Sequence, residues 1–287
     1  MNQYTDVRLN RSRYEFFRWF GFDQFEPERA VTSYWVSSKV FLGIRILTVL
    51  YSTIIMWASV AGSAIAHTFN IYFGYFTTLT FVGLHAYLVT SVYHHVRYIW
   101  SGQLDSFFKQ PTALNYLYVY LYHTIITFNI VTPVVYWAVL NDAGAKPSPE
   151  VMWVNVSVHG VSLGLMLIDV IFNRMKVYTN MIILIILHVV IYMCLAFLVH
   201  AITGVWVYGF LDWSRGLSAA LIYVCVGTFF MIVFFVMIGI HDLRDWIAQK
   251  TNRAPKQTIS PRSMEYFALP QHVHPEEPSM SSVQQPV

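Results

Sequence analysis

The sequence predicts an all-α polytopic membrane protein, a bundle of six transmembrane helices with both termini in the cytoplasm. Three observations predict it. Of the 287 residues 56% are apolar and only 11% charged, less than half the charge with which a soluble domain covers its surface. Six apolar runs approach the roughly 20 residues needed to cross about 30 Å of hydrocarbon. The few basic residues sort to one side of those runs. This composition excludes a cytosolic enzyme, a chain disordered throughout and a nucleic-acid binder, and a net charge of +3 is too small to specify a polyanionic partner.

Residues 1–38 are expected to form a cytoplasmic segment lying partly in the membrane interface, or else an ordered cap on the bundle. Phe16, Phe17, Trp19, Phe20, Phe22 and Phe25 there alternate with arginines, and no apolar core marks a signal peptide. The transmembrane domain spans 39–245, with runs at 39–66, 71–96, 116–140, 151–172, 179–201 and 217–241. The runs are continuous instead of alternating, which selects helices over barrel strands. Gln110-Pro111, Lys146-Pro147-Ser148-Pro149 and Ser214-Arg215-Gly216 punctuate the connections. Residues 246–287 read as a cytoplasmic tail, largely disordered, because Pro, Gln and Ser recur there without period.

Orientation follows from charge. Arg8, Arg11, Arg13, Arg18, Arg29 and Lys39 precede the first run; Arg97 and Lys109 fall in the second connection; Arg174 and Lys176 in the fourth; Arg244, Lys250, Arg253, Lys256 and Arg262 in the tail. These are fifteen of the eighteen basic residues. Lys146 and Arg215 fall on the other side, and Arg45 lies inside the first run. The expected location is an integral, multi-pass position in an endomembrane (endoplasmic reticulum) or the plasma membrane. The sequon Asn10-Arg11-Ser12 then faces the cytoplasm and stays unmodified.

Cys194 and Cys225 lie in separate runs and read as free, buried thiols. No zinc, nucleotide or elbow-serine motif is present, and neither a cofactor nor a metal is expected. Ionisable side chains at membrane depth are costly and point to function. Arg45 and Asp169 fall near the same cytoplasmic face and are expected to form a structural ion pair. At the opposite face Thr77, His159 and His200 reach similar levels, with Thr77 about 9 Å and His159 about 12 Å deep at 1.5 Å per residue. A threonine hydroxyl needs a neighbouring base, which a neutral histidine supplies. Asn155, one turn before His159, can orient its ring. Taken on composition and depth alone, helix-to-helix hydrogen bonding outweighs catalysis for these groups. His85, His123 and His188 read as packing residues, and Tyr116, Tyr118, Tyr120 and Tyr122 as an interface belt.

The segment Val199-His200-Ala201-Ile202-Thr203-Gly204-Val205-Trp206-Val207-Tyr208-Gly209-Phe210-Leu211-Asp212 resembles the androgen-induced protein family, also called FAR-17a/AIG-like. The likeness extends over about 40–245 and implies a six-helix intramembrane threonine hydrolase that splits fatty acid esters of hydroxy fatty acids. The family's nucleophile motif is similar to Tyr75-Phe76-Thr77, and its histidine motif to Trp153-Val154-Asn155-Val156-Ser157-Val158-His159. Gly74 stands where the family has lysine, Val156 where it has its first histidine, and Ser157 where it has glycine. The resemblance therefore implies Thr77 and His159 as catalytic residues, supported by Asn155, His200 and Tyr75, with a lipid ester as partner. More distantly the Tyr75-Phe76-Thr77-Thr78 region is similar to rolling-stone membrane proteins, which implies Thr78, one position along the motif, as the second-choice nucleophile in place of Thr77, and a non-enzymatic scaffold, lipid-binding or cell-fusion role as the alternative. A weaker alternative is a b-type haem protein, ligated by His159 with His200 or His95 with His123.

Overall fold

The structure, a computed structural model, describes residues 4–140 and 148–254, and among them every regular element is helical. Lys146, Lys256, Arg262 and residues 255–287 of the expected disordered tail lie outside the described residues, whereas residues 246–250 of that tail continue the sixth long helix. Six helices are long and apolar enough to cross a membrane: α1 (Ser38–Ile65), α2 (Phe76–Ser101), α3 (Thr112–Leu140), α4 (Pro149–Phe172), α5 (Met181–Thr203) and α6 (Leu217–Lys250). The chain is therefore an all-α polytopic membrane bundle. The second helix departs most from its apolar run: it starts at Phe76, after a tight 3-10 turn over Phe69–Gly74.

Helix α3 forms the centre, with 56% of its spanning window buried, against 17% for α5 and 22% for α6. The difference follows from composition. Helices that are apolar all round gain nothing from leaving lipid, whereas polar groups must find protein partners. In α3 the Thr127 and Thr132 hydroxyls bond back to the carbonyls of His123 and Phe128, and the Asn129 amide to Ile125. Pro133 interrupts the amide ladder of this helix, and its last five residues, Tyr136–Leu140, relax into a π turn.

Tyr116, Tyr118, Tyr120 and Tyr122 are not an interface belt. Tyr116, Tyr118 and Tyr122 are buried; the Tyr118 hydroxyl meets Ser91 at 2.9 Å and that of Tyr122 meets His241 at 2.6 Å. Tyr120 bonds His188 at 2.8 Å. The phenols are consumed inside the bundle because its interior is polar and its lipid face apolar. The same inversion corrects the cysteines. Cys194 and Cys225 are free but exposed, on the outward faces of α5 and α6.

At the end carrying both termini, Arg45 forms a two-pronged ion pair with Asp169, Nε to Oδ1 at 2.7 Å and an Nη to Oδ2 at 3.2 Å. Tyr87 and Asn173 also donate to Asp169, at 2.7 and 2.9 Å. The N-terminal segment closes over this end as an ordered cap. Arg174 pairs with Asp6 at 2.9 Å and stacks on the Tyr4 ring at 3.6 Å, while Glu28 accepts from the amides of Thr5 and Asp6. Glu26 and Asp6 outweigh the desolvation of buried Arg29 and hold its pKa above the ordinary value. Arg253 donates to the Trp35 carbonyl at 3.2 Å, which puts the start of α1 and the end of α6 on one face. Within the cap Phe20, Phe22 and Phe25 are buried, whereas Phe16 and Trp19 project outward at 56% and 50% exposure.

Candidate functional site

The chemistry-bearing region lies in the other half of the bundle, which we call distal. After α1 the chain turns back inward instead of staying at the surface. Gly74 is packed so closely that a Cβ there would meet Val207 at 3.1 Å, so a larger residue would push the turn out. Tyr75 then stands at the N-cap of helix α2, but its side chain does not cap it. The first amides of a helix lack internal partners, and irregular backbone at membrane depth survives only where such groups are satisfied. Two tyrosines satisfy them. The Phe76 amide donates to the Tyr192 hydroxyl at 3.1 Å, the Thr77 amide donates to that of Tyr208 at 3.3 Å, and the Tyr192 hydroxyl donates to the Gly74 carbonyl at 3.0 Å.

This capping fixes the depth of Thr77. Gly74 packs against Val199 as well as Val207, and Val199 lies four residues, about 6 Å, before Thr203, the distal end of α5. Thr77, three residues after Gly74, stands in the first turn of α2 below that level. His159 follows Pro149 by ten residues, about 15 Å along α4.

The Thr77 hydroxyl lies 3.3 Å from that of Tyr208. Burial pushes the Tyr208 phenol above its ordinary pKa, so it remains a protonated donor. Thr77 and Tyr208 line a cavity of about 100 Å³ between the start of α2, helices α3, α5 and α6, and the loop after α5. Val131, Val189, Met193 and Phe230 are among its apolar walls. Thr78 does not line it.

His159 occupies a different compartment. It is carried on a π turn, Ser157–Val161, and its ring stacks face to face on Tyr136, centroids 3.6 Å apart. The two π turns thus meet through their aromatic rings. The His159 ring makes no hydrogen bond among the described residues, its buried Nδ1 included. Thr77 and His159 are not hydrogen-bonded, and His159 does not line the cavity. Asn155 does not orient the ring, because the π turn breaks the i, i+4 register that would align the two. His200 stacks on Trp206 at 3.8 Å, also with an unpartnered buried Nδ1, and Tyr75 packs edge-on against Tyr208 at 5.9 Å.

Haem ligation by His95 and His123 does not fit. His95 contacts Ser38 at 2.8 Å and Arg45 at 3.5 Å, and His123 contacts the Val119 carbonyl and the Tyr178 amide at 2.7 and 2.9 Å. No ring nitrogen of either is left for iron. Tyr192 and Tyr208 were not legible as site residues. Tyr208 lies in the quoted Val199 to Asp212 segment, yet no spacing shows that it folds down onto Thr77.

No family model, curated protein or solved structure matches this chain.

Proposed function

We propose that the protein is an intramembrane lipid esterase, working on esters that reach it by diffusion within the bilayer. One observation carries the reading: the Thr77 hydroxyl stands in the wall of an apolar cavity inside the membrane domain, a place reached by lipids and poor in water. The resemblance of the Tyr75 to Thr77 and Trp153 to His159 segments to threonine hydrolases supports it. In this mechanism Thr77 Oγ1 attacks the ester carbonyl and its proton passes to His159. The tetrahedral intermediate collapses, the leaving alkoxide takes that proton, and an acyl-Thr77 remains. Water, deprotonated by His159, then releases the fatty acid and restores the hydroxyl. Tyr208, protonated and beside Oγ1, is placed to donate to the developing oxyanion. The Thr77 hydroxyl rests on Tyr208 here and His159 lies outside the cavity lining, so the esterase reading requires the two to be brought together when substrate is seated.

A second reading, lipid binding without hydrolysis, is favoured by the same Thr77–Tyr208 hydrogen bond, because the contact partner is a phenol and not a base. Activity-based labelling with a fluorophosphonate probe separates the two. Labelling of wild type that is lost in both Thr77→Ala and His159→Ala is expected from the esterase; labelling that persists in both variants sinks the Thr/His pair.

A further inference from the structure

We propose that Gly227 of α6 is the lateral portal of the cavity, through which the hydrocarbon chain of a carbonyl-bearing, single-chain lipid reaches Thr77 and Tyr208 from the bilayer. The inference rests on the cavity being a lipid pocket, and not on turnover. It begins with the hydroxyls around the cavity. Tyr192 donates to Gly74, Tyr223 to the Leu211 carbonyl and Thr132 to the Phe128 carbonyl. Those groups are spent, and the rest of the lining is carbon, which selects hydrocarbon as occupant. Thr77 and Tyr208 differ. Together they carry two hydroxyl hydrogens, and their mutual contact uses one. The other O–H is shared with the neighbouring Tyr192 hydroxyl, which is also a partner of Tyr208, and the carbonyl oxygen of an acyl ester, acid or amide matches it when that contact opens.

Gly227 then stands out by what it lacks. A glycine inside a helix costs about 1 kcal/mol relative to alanine, and two reasons usually account for one. Its φ is not in the left-handed region, so conformation does not require it. A Cβ at Gly227 would meet nothing within 4 Å, so close packing does not require it either, in contrast to Gly74. Several other helical glycines have open space too, but Gly227 is the one lining the cavity. Its neighbours Cys225 and Thr228 are exposed, as are Val190 and Cys194 beside Met193 on α5. Gly227 therefore lines the cavity on a stretch of α6 whose neighbours are exposed, and it offers no side chain to close the way between cavity and lipid.

A leucine side chain removed from a core leaves a void of about 150 Å³, so one added at Gly227 suffices to fill a cavity of about 100 Å³. The same size means that only the carbonyl end and first few carbons of the lipid enter, while the rest of its chain lies in the portal and the bilayer. The test uses the full chain in detergent and a palmitoyl probe bearing a diazirine and an alkyne, with crosslinked peptides mapped by mass spectrometry. Wild type is expected to label on Met193, Tyr208 or Tyr223. Gly227→Leu is expected to lose that labelling at least tenfold while melting no lower than wild type. Gly239→Leu, the same change at a lipid-exposed glycine of the same helix, is expected to keep it. If Gly227→Leu melts lower, Met193→Trp narrows the slot from α5 and is expected to give the same loss. Undiminished labelling in the variants, or wild-type labelling confined to other peptides, overturns the portal. Cavity labelling that depends on Gly227 in a chain without esterase activity removes the hydrolytic reading alone.

Discussion

The imidazole of His159 and the phenol ring of Tyr136 lie parallel, 3.6 Å between centroids and 6° between planes. Each ring rides on a π turn, and Trp137 adds a hydrogen bond from its indole to the His159 carbonyl at 3.3 Å. Such stacks contribute about 0.5–1.5 kcal/mol beyond the area they bury. Tyr136→Leu is expected to lower the melting temperature in detergent modestly and, on the esterase reading, to cut probe labelling by releasing the base. Tyr136→Phe should preserve both. Unchanged melting in the leucine variant removes the structural role of the stack.

Tyr208→Phe deletes the acceptor of the Thr77 amide. A buried amide left without a partner costs about 1–3 kcal/mol, so this variant is expected to unfold at lower temperature although it loses only one oxygen atom. On the esterase reading kcat falls by about a hundredfold or more, the usual effect of removing an oxyanion donor, with KM little altered. A loss confined to KM would assign Tyr208 to binding.

The pH profile follows from burial of the same phenol. The folded pKa of Tyr208 lies above its unfolded value of about 10. The protonated phenol therefore contributes its full stability below about pH 10, and that contribution declines as pH rises toward the higher folded value. Thermal melts between about pH 8 and 11 are expected to be flat and then to fall, less steeply in Tyr208→Phe. Tyr34 and Tyr178, whose phenols burial also shifts upward, contribute to the slope that remains.

Asp169 gathers Arg45, Tyr87 and Asn173. Replacing it by leucine strands a buried guanidinium and two further donors, and breaking such a pair costs about 3–5 kcal/mol. Asp169→Leu and Arg45→Met are each expected to reduce folded yield severely. The double variant should lose less than the sum of the two, as read from chemical denaturation in detergent micelles.

Arg174 anchors the cap through Asp6 and the Tyr4 ring. Arg174→Met should free the first segment before the bundle unfolds. Limited proteolysis is expected to cut within residues 4–37 faster than in wild type, and equal cleavage rates would show that the aromatic packing of Phe20, Phe22 and Phe25 suffices.

The six helices were legible because lipid imposes a length and a composition that residues such as Leu187, Ile191 and Leu198 satisfy openly. The span that carries His159 was legible for the same reason, since α4 starts at Pro149, close to the expected run. The start of α2 at Phe76 was not legible, because Ile71, Tyr72 and Phe73 are as apolar as a helix start and nothing local shows the chain turning there. What turns it are contacts more than a hundred residues away, from Tyr192 and Tyr208. The compartment that separates His159 from the cavity is equally tertiary. Pro133 alone announces irregularity in α3, whereas Ser157 to Val161 holds no proline and reads as ordinary helix.

The inward start of α2 also sets an order of events during synthesis. Its first two amides are satisfied by Tyr192 in the fifth helix and Tyr208 in the loop behind it. When α1 and α2 leave the insertion machinery, neither tyrosine has been made. An unpaired amide in hydrocarbon is costly, so the first turn of α2 reaches its final hydrogen bonding only after α5 and the loop behind it have been made. Maturation of the site is in this sense a late step, gated by residues that the ribosome delivers more than a hundred positions after Thr77.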